Sequence, residues 1–215
     1  IHMLTEIAVE NLASVRAAIR AGVDRIELNS RLDLGGVTPD LSIVRRAVEL
    51  TTMADIELVV MVRPRGGDFV YSRCDIDCMK RNLLNFRAIG VKQVTFGVLT
   101  KDNKLDRCEM YRLIETAKPM HVICHMAFDE ITPEHQIIAM HWLHHQGVKR
   151  ILMHGGKLAD PIQQTLPHIK QVVDQAPKGM TILPGGGITY QNAPVIAENL
   201  KVNQVHGSKI VPFID

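Results

Sequence analysis

The sequence is poor in aromatic residues, which make up only 4% of its 215 residues. Proteins that bind single-stranded nucleic acid stack its bases on aromatic side chains, so this scarcity argues against such a surface. Charge of one sign is also not in excess, because the formal net charge is +2. Apolar runs stay well short of the roughly 20 residues that span a bilayer. We therefore predict neither a nucleic-acid partner nor a membrane partner.

Cysteine is scarce as well, with four residues at positions 74, 78, 108 and 124. This number is too small for a disulfide scaffold in a chain of this length. Cys74 and Cys78 would share one face of a helix, but no second pair lies nearby, so we do not predict a zinc site. The N-terminus does not resemble a signal peptide, and we expect a cytoplasmic protein with reduced cysteines. Residues 1–3 resemble in part a cloning remnant, with Met3 as the native start.

Short apolar runs alternate along the chain with longer amphipathic segments. The apolar runs predict eight strands, at 4–8, 25–28, 56–62, 93–98, 120–124, 149–153, 180–183 and 204–206. The amphipathic segments predict seven helices, at 11–21, 39–49, 75–89, 105–117, 133–146, 162–175 and 191–199.

A short joint between helix and strand recurs three times. Gly22, Gly90 and Gly147 each follow a predicted helix, and each is followed at once by a valine that leads into a strand. Together with the alternation, this repeat predicts an α/β fold, a single (β/α)8 TIM-barrel domain over residues 1–215, with a doubly wound open sheet as the alternative. The sequence leaves room for only a short last helix or none. We therefore expect a homo-oligomer in which another subunit covers the exposed part of the barrel wall.

The most unusual segment follows the third predicted strand and spans residues 61–72, Met-Val-Arg-Pro-Arg-Gly-Gly-Asp-Phe-Val-Tyr-Ser. Arg63 and Arg65 carry planar, permanently charged groups that suit carboxylates and phosphates, and Asp68 is a potential proton acceptor. Charged loops after buried strands are where α/β proteins bind ligands. An exposed turn with solvated arginines is the alternative.

Glycines follow the last predicted strands. Gly155 and Gly156 follow the sixth strand, and Gly185, Gly186 and Gly187 follow the seventh. Loops of this kind expose backbone N–H groups to anions, and phosphate sites in TIM barrels lie near the last strands. Gly207, Ser208 and Lys209, after the eighth strand, would add further donors and a charge. These glycines could instead serve only to make tight turns.

Four acidic or imidazole side chains complete the predicted barrel mouth. His125 and Asp129 follow the fifth strand and are candidates, with Asp68, for general acid and base catalysis. Glu6 and Glu27 lie in buried strands, where a carboxylate needs a partner, and Arg63 or Arg65 is the candidate partner. The alternative is an ion-pair layer that closes the barrel without chemistry.

Soft donor atoms suggest a different ligand. Imidazole, thiolate and thioether groups suit Cu(I), so His125, His154 and His206 are candidate metal ligands, together with Cys124 and Met126. Strand alternation would place Cys124 and Met126 on the opposite side of the sheet from His125. We therefore expect Cys124 and Met126 to pack inside the protein rather than bind a metal.

The chain resembles the CutC family, named for copper homeostasis, over nearly its whole length. The motifs that carry this resemblance lie at 27–28, 35–39, 63–72, 96–99, 125–129, 185–188 and 206–208. The block Arg-Pro-Arg-Gly-Gly-Asp-Phe at 63–69 is the most specific of them. The resemblance implies a TIM barrel, a cytoplasmic location and a role in copper handling with copper as ligand.

The resemblance also implies the polar positions of the barrel mouth, which here are Glu6, Glu27, Arg63, Arg65, Asp68, His125, Asp129 and His206. The sequence departs from the family pattern at four places. Ala8 and Asn29 stand where some relatives carry the cysteines proposed as copper ligands. Met126 replaces a usual arginine, and His154 replaces a usual serine.

Two functional hypotheses follow, and a barrel that only binds protein partners is a third. The first is a copper homeostasis protein that binds Cu(I). The second is an enzyme or sensor for a small anionic metabolite, for example a phosphorylated one, that uses Arg63, Arg65, the glycine loops and Ser208. The arginine loop favours the anion, because guanidinium groups repel a cation.

Overall fold

The computed structural model describes residues 2–212 and contains one sheet of eight parallel strands. The strands are β1 (Leu4–Val9), β2 (Arg25–Leu28), β3 (Glu57–Met61), β4 (Gln93–Phe96), β5 (His121–Cys124), β6 (Arg150–Met153), β7 (Thr181–Pro184) and β8 (Gln204–Gly207). Their order is β7-β6-β5-β4-β3-β2-β1-β8, so β7 and β8 face each other across the seam of a nearly closed barrel. The predicted TIM barrel is confirmed.

Seven α-helices alternate with the strands. They are α1 (Leu12–Ala21), α2 (Leu41–Ala54), α3 (Arg73–Ala88), α4 (Arg107–Ala117), α5 (Pro133–His145), α6 (Ile162–Gln175) and α7 (Ala193–Leu200). Within residues 2–212 no helix follows β8, in agreement with the predicted short or absent last helix. No helix in this part of the chain combines the length and apolar character needed to cross a membrane.

The recurring helix-to-strand joint forms as the sequence predicts. Gly22 ends α1 with a positive φ of 79°, and its N–H donates to the carbonyl oxygens of Ala18 and Ile19. Gly90 and Gly147 also have positive φ, of 96° and 91°. Residues with a Cβ rarely adopt this conformation, which explains why glycine recurs at the same place in three repeats.

The lower half of the barrel interior is polar. The guanidinium of Arg25 donates from Nε to Oε2 of Glu6 and from Nη2 to Gln204, over 2.8 Å in the second case. Glu6 and Arg25 are paired in the register of β1 and β2, so their inward side chains meet at one level. The partner of Glu6 is therefore Arg25, and the expectation of Arg63 or Arg65 was wrong. An ion-pair layer inside the barrel does exist, below the mouth.

Candidate functional site

A cavity of about 560 Å³ opens at the carboxyl ends of the strands, which is where TIM-barrel ligands bind. Residues from seven of the eight strands or the loops that follow them contribute to its wall, and β4 is the exception. The lining consists of Ala8, Glu27, Leu32, Gly35, Met61, Arg63, Phe69, His125, Met126, Leu152, Leu158, Gly186, Gly187, Ile188, Thr189, His206, Gly207, Ser208 and Lys209.

Arg63 is the most unusual side chain in this wall, because it is a guanidinium that is only 6% exposed. Its Nη1 donates to the carbonyl oxygens of Leu34 and Gly36 at 2.9 and 3.0 Å, and its Nη2 donates to that of Gly67 at 2.8 Å. Its Nε has no partner. Among the described side chains no carboxylate lies within ion-pair distance of Arg63. The charge is thus held by carbonyl dipoles and by the ring of Phe69, whose centroid lies 4.9 Å from Cζ of Arg63.

The second arginine of the same loop has a different role. Arg65 forms ion pairs with Asp68 at 3.0 Å and with Asp75 at 3.2 Å, and it donates to the carbonyl oxygen of Val70 at 2.8 Å. Neither Arg65 nor Asp68 lines the cavity, and Asp68 is exposed. These contacts fasten the loop to the start of α3. Arg63 is then the arginine of this loop that lines the cavity.

His125 is buried beside Phe69, with ring centroids 5.0 Å apart. Its Nδ1 accepts a hydrogen bond from the N–H of Ala127 at 3.1 Å, so Nε2 carries the hydrogen of the neutral ring. Burial and the positive charge of Arg63 lower the pKa of His125 to about 3. Nε2 has no partner among residues 2–212. His125 is therefore a neutral donor at the cavity wall.

Glu6, Glu27 and His206 come together at the cavity floor, with one ligating atom of each within 4.8 Å of the others. Nδ1 of His206 donates to Oε1 of Glu6 at 2.7 Å. Burial alone would raise the pKa of Glu6, but the hydrogen bond from His206 and the charge of Arg25 outweigh it and lower the pKa to about 2. Glu6 is therefore an ionised group below the cavity, whereas Glu27 and His206 line it.

Asp129 and His154 hold the loop after β6 in place. The Asp129 carboxylate accepts hydrogen bonds from the N–H groups of His154 and Gly155, each at 2.8 Å. Burial raises the pKa of Asp129 to about 6. The ring nitrogens of His154 lie 2.9 Å from the carbonyl oxygen of Gly185 and 2.8 Å from that of Asp160. Because a carbonyl oxygen lies against each ring nitrogen, neither nitrogen of His154 is open to a metal ion.

The two glycine loops have different surroundings, because the loop after β6 packs against a helix and the loop after β7 lines the cavity. Gly155 and Gly156 lie against Thr165 of α6, where a Cβ on Gly155 would come within 2.8 Å of the Thr165 carbonyl oxygen. Gly186 and Gly187 line the cavity together with Ser208. The backbone N–H groups of these last three residues have no acceptor within the described part of the chain. This pattern is typical of a loop that binds an anion.

The loops after β7 and β8 are joined to each other across the barrel seam. Thr189 and Lys209 form an isolated parallel bridge, and the N–H of Tyr190 donates to the carbonyl oxygen of Lys209 at 3.0 Å. Gly207 permits this approach, because a Cβ there would lie 2.3 Å from the carbonyl oxygen of Ile188. The exposed Lys209 then reaches the cavity wall.

The donor set for Cu(I) is incomplete at this mouth. Cys124 is buried outside the cavity lining, and burial raises the pKa of its thiol to about 12. Ala8 lines the cavity but carries no donor atom. The methyl carbon of Met126 and Cδ2 of His206 each lie 3.0 Å from the position of a Cβ on Gly185, so the two side chains are neighbours. These two side chains are neighbouring soft donors, and the described lining, which also holds Met61 and His125, contains no cysteine thiolate.

The structure thus gathers some of the predicted site residues at the cavity and leaves others outside its lining. Those in the wall are Glu27, Arg63, His125, Gly186, Gly187, His206 and Ser208. Those outside it are Glu6, Arg65, Asp68, Asp129, His154, Gly155, Gly156 and Gly185. Lys209, which the sequence suggested as an added charge after β8, also lines the cavity. Sequence reasoning missed Met61 and Ile188, which offer no charged group as a signal.

Comparison with known proteins matches residues 3–211 to a sequence model described as the CutC family. A family protein CutC of Enterococcus faecalis is 37% identical over 209 residues, which cover 97% of this chain and all of the relative. A human protein named copper homeostasis protein cutC homolog is 35% identical over 208 residues, covering 95% of this chain and 72% of the relative. A crystal structure titled as a putative copper homeostasis protein CutC from Streptococcus agalactiae has a TM-score of 0.94 and 32% identity, and covers 97% of this chain and all of the other. The chain belongs to the CutC family.

Proposed function

We propose that the barrel mouth binds a small organic anion, a metabolite that carries a phosphate or carboxylate group. The observation that carries this proposal is the buried guanidinium of Arg63, which has no carboxylate partner among residues 2–212. Burying an unpaired charge costs several kcal/mol, on the order of the net stability of a small domain. A ligand of opposite charge would remove that cost. The protein is an enzyme if the site converts this anion chemically, and a sensor if the site only binds it.

The hydrogen-bonding capacity of Arg63 supports an oxyanion. A guanidinium has five N–H groups, and three of them donate to the carbonyl oxygens of Leu34, Gly36 and Gly67. The N–H on Nε and one on Nη2 remain. Two adjacent donors suit two oxygens of one carboxylate or phosphate.

The opposite side of the cavity supplies further donors. The free N–H groups of Gly186, Gly187 and Ser208 lie in the same wall as the ammonium-bearing side chain of Lys209. Backbone N–H groups stabilise an anion without requiring a rigid side chain. The cavity of about 560 Å³ has the size of a site for a small metabolite.

Thermal unfolding in the presence of defined anions tests this proposal. Dihydroxyacetone phosphate, ribulose 5-phosphate and 2-oxoglutarate would each be added in excess, because a ligand at about 100 times its Kd adds roughly 2.7 kcal/mol to stability. We expect at least one to raise Tm by several degrees. The rise should disappear in Arg63→Gln and shrink in Lys209→Gln.

Arg46→Gln is the matched control, since Arg46 is an exposed arginine on α2 that pairs with Glu49. This variant should respond to each anion as the unmodified protein does. Arg63→Gln also removes three hydrogen bonds to the loops after β2 and β3, so Lys209→Gln, which changes an exposed side chain, provides the second readout. If none of the three anions raises Tm, the proposal is wrong.

Copper handling is the second candidate, because relatives at 35% identity are named copper homeostasis proteins. One structural observation favours it, namely the contact region shared by Met126 and His206 beside the cavity. A cytoplasmic location belongs to the same proposal, since Cys74, Cys78, Cys108 and Cys124 are all free. So does a homo-oligomer that covers the barrel wall beside β8.

A further inference from the structure

Glu27 and His206 lie on the two strands that flank β1. The register pairs Glu27 of β2 with Ala8, and His206 of β8 with Glu6. Both side chains line the cavity, and they are only 5% and 6% exposed. A carboxylate and an imidazole therefore meet at the floor of the anion site.

Each of these side chains keeps one polar atom free. Oε1 of Glu27 accepts a hydrogen bond from Nδ2 of Asn29 at 2.9 Å, whereas its second oxygen has no partner in the described part of the chain. Nδ1 of His206 is held by Glu6 at 2.7 Å, so Nε2 is the nitrogen left for a ligand. Support from a second group fixes the position of both free atoms, as in known acid and base pairs.

The charges favour opposite roles for the two groups. Burial alone would lower the pKa of His206, but the negative charges of Glu27 and Glu6 outweigh it and raise the pKa above the ordinary value. Burial raises the pKa of Glu27, which makes its carboxylate a stronger base than an exposed one. The imidazolium can then donate a proton while the carboxylate accepts one.

Resting on the proposed anion site, we propose that Glu27 and His206 catalyse proton transfer at a carbon next to a carbonyl group of the bound anion. The free oxygen of Glu27 removes the proton from this carbon. The C–H electron pair forms a carbon–carbon double bond, and the carbonyl π pair takes the proton on Nε2 of His206, which gives an enol. Reversal returns a proton to the same or the neighbouring carbon, so no oxidant or further reactant is needed.

The remaining wall suits this step. Nε2–H of His125 is a neutral donor that can hydrogen-bond to the carbonyl oxygen as it gains charge. Met61, Leu152 and Ile188 make part of the wall apolar, which strengthens electrostatic interactions in the cavity. A metal ion at the same three groups is the competing assignment. It is disfavoured because both oxygens of Glu6 are occupied, one by His206 and the other by Arg25.

Deuterium incorporation from D2O, followed by proton NMR, tests the inference. The probes are the same three anions, since each has a hydrogen next to a carbonyl group. We expect the protein to accelerate exchange in at least one probe that raises its Tm. Glu27→Gln and His206→Asn should lower this rate by about 100-fold or more. They should leave most of the Tm rise caused by the probe.

Glu49→Gln and His141→Asn are matched controls with exposed side chains, and both should exchange at the rate of the unmodified protein. Glu27→Asp provides a second variant with the charge retained, and its exchange should also be slow because the carboxylate is withdrawn. Exchange that EDTA abolishes and Mn²⁺ restores would overturn the metal-free pair.

Two failures are distinguishable. If a probe raises Tm but shows no accelerated exchange, or if Glu27→Gln and His206→Asn exchange normally, the acid–base pair is wrong and the anion site stands. If no probe raises Tm, the anion site falls and the acid–base pair falls with it.

Discussion

Nδ1 of His206 lies 2.7 Å from Oε1 of Glu6, although the two residues are 200 positions apart in the chain. This hydrogen bond joins the last strand to the first at the level where their register pairs them. The other oxygen of Glu6 is bonded to Arg25. A single carboxylate therefore links β1 to both of its neighbouring strands and forms part of the three-residue cluster at the floor of the candidate site.

Replacement of this carboxylate should be costly. Glu6→Gln leaves the buried guanidinium of Arg25 without its main counter-charge, and breaking a buried ion pair costs about 3–5 kcal/mol. Urea unfolding should show this loss in the free energy of unfolding. Glu49→Gln is the matched control, because Glu49 also pairs with an arginine but on the surface. Equal effects of the two variants would contradict the importance of the buried pair.

His125 should make the protein sensitive to acid. Its pKa lies at about 3 in the folded protein against an ordinary value of 6.5. Between these values the unfolded chain binds more protons, so stability falls as pH falls from 6.5 towards 3. The contribution reaches about 3 kcal/mol by pH 4.

His125→Gln should therefore flatten the dependence of the free energy of unfolding on pH over this range. Urea unfolding at several pH values between 7 and 4 would measure it. The exposed His141 serves as control, since His141→Asn should keep the slope of the unmodified protein. An unchanged slope in His125→Gln would show that the pKa of this imidazole is not lowered in the folded protein.

Gly207 should not tolerate even one methyl group. A Cβ at this position would meet the carbonyl oxygen of Ile188 at 2.3 Å, so Gly207→Ala must push the two loops apart. We expect a loss of about 2 kcal/mol or more. Anion affinity should weaken as well, because Ile188 and Ser208 line the cavity.

Gly66→Ala is the comparison for this variant. There the nearest atom to the added carbon is Cβ of Leu34 at 3.3 Å, which a small shift can accommodate. Thermal unfolding and anion titration of both variants would measure the difference. Similar losses in the two would mean that the contact of Gly207 with Ile188 is not limiting.

Copper binding can be assigned by a competition titration of Cu(I) against bicinchoninate. If the mouth binds Cu(I), Met126→Leu and His206→Asn should each weaken the affinity by about tenfold or more, because both remove a soft donor. His154→Gln should have little effect, since both ring nitrogens face carbonyl oxygens. Met53→Leu is the control, as Met53 is 85% exposed. Equal affinities in all variants would remove the mouth as the copper site.

The barrel could be predicted from the sequence because its signals are local. Each strand is a short apolar run, and three of the joints from helix to strand contain a glycine that needs a positive φ, as Gly22 shows. The residues of the site were harder to predict, because side chains that follow different strands differ in direction and in their position along the barrel axis. Arg63 and Arg65 are two residues apart, yet one lines the cavity and the other fastens the loop to Asp75. Only the fold decides between them.

Side-chain contacts that depend on the register of neighbouring strands could not be predicted from the sequence either. Nothing in the order of residues indicates that Glu6 stands level with Arg25 and His206. The sequence suggests that Asp129 is a free carboxylate, but this group accepts hydrogen bonds from backbone N–H groups in the loop after β6. Such roles depend on the stagger of neighbouring strands, which periodicity does not encode.

The seam between β7 and β8 has a consequence for motion. Every other neighbouring pair of strands in the described barrel shares a hydrogen-bonded ladder, whereas this pair is joined above the strands, by Thr189, Tyr190 and Lys209. Local opening of the barrel should therefore occur most easily between β7 and β8. An anion bound between Gly187 and Ser208 would connect the two sides of this seam. Binding of an anion at the mouth should therefore make the whole barrel more rigid.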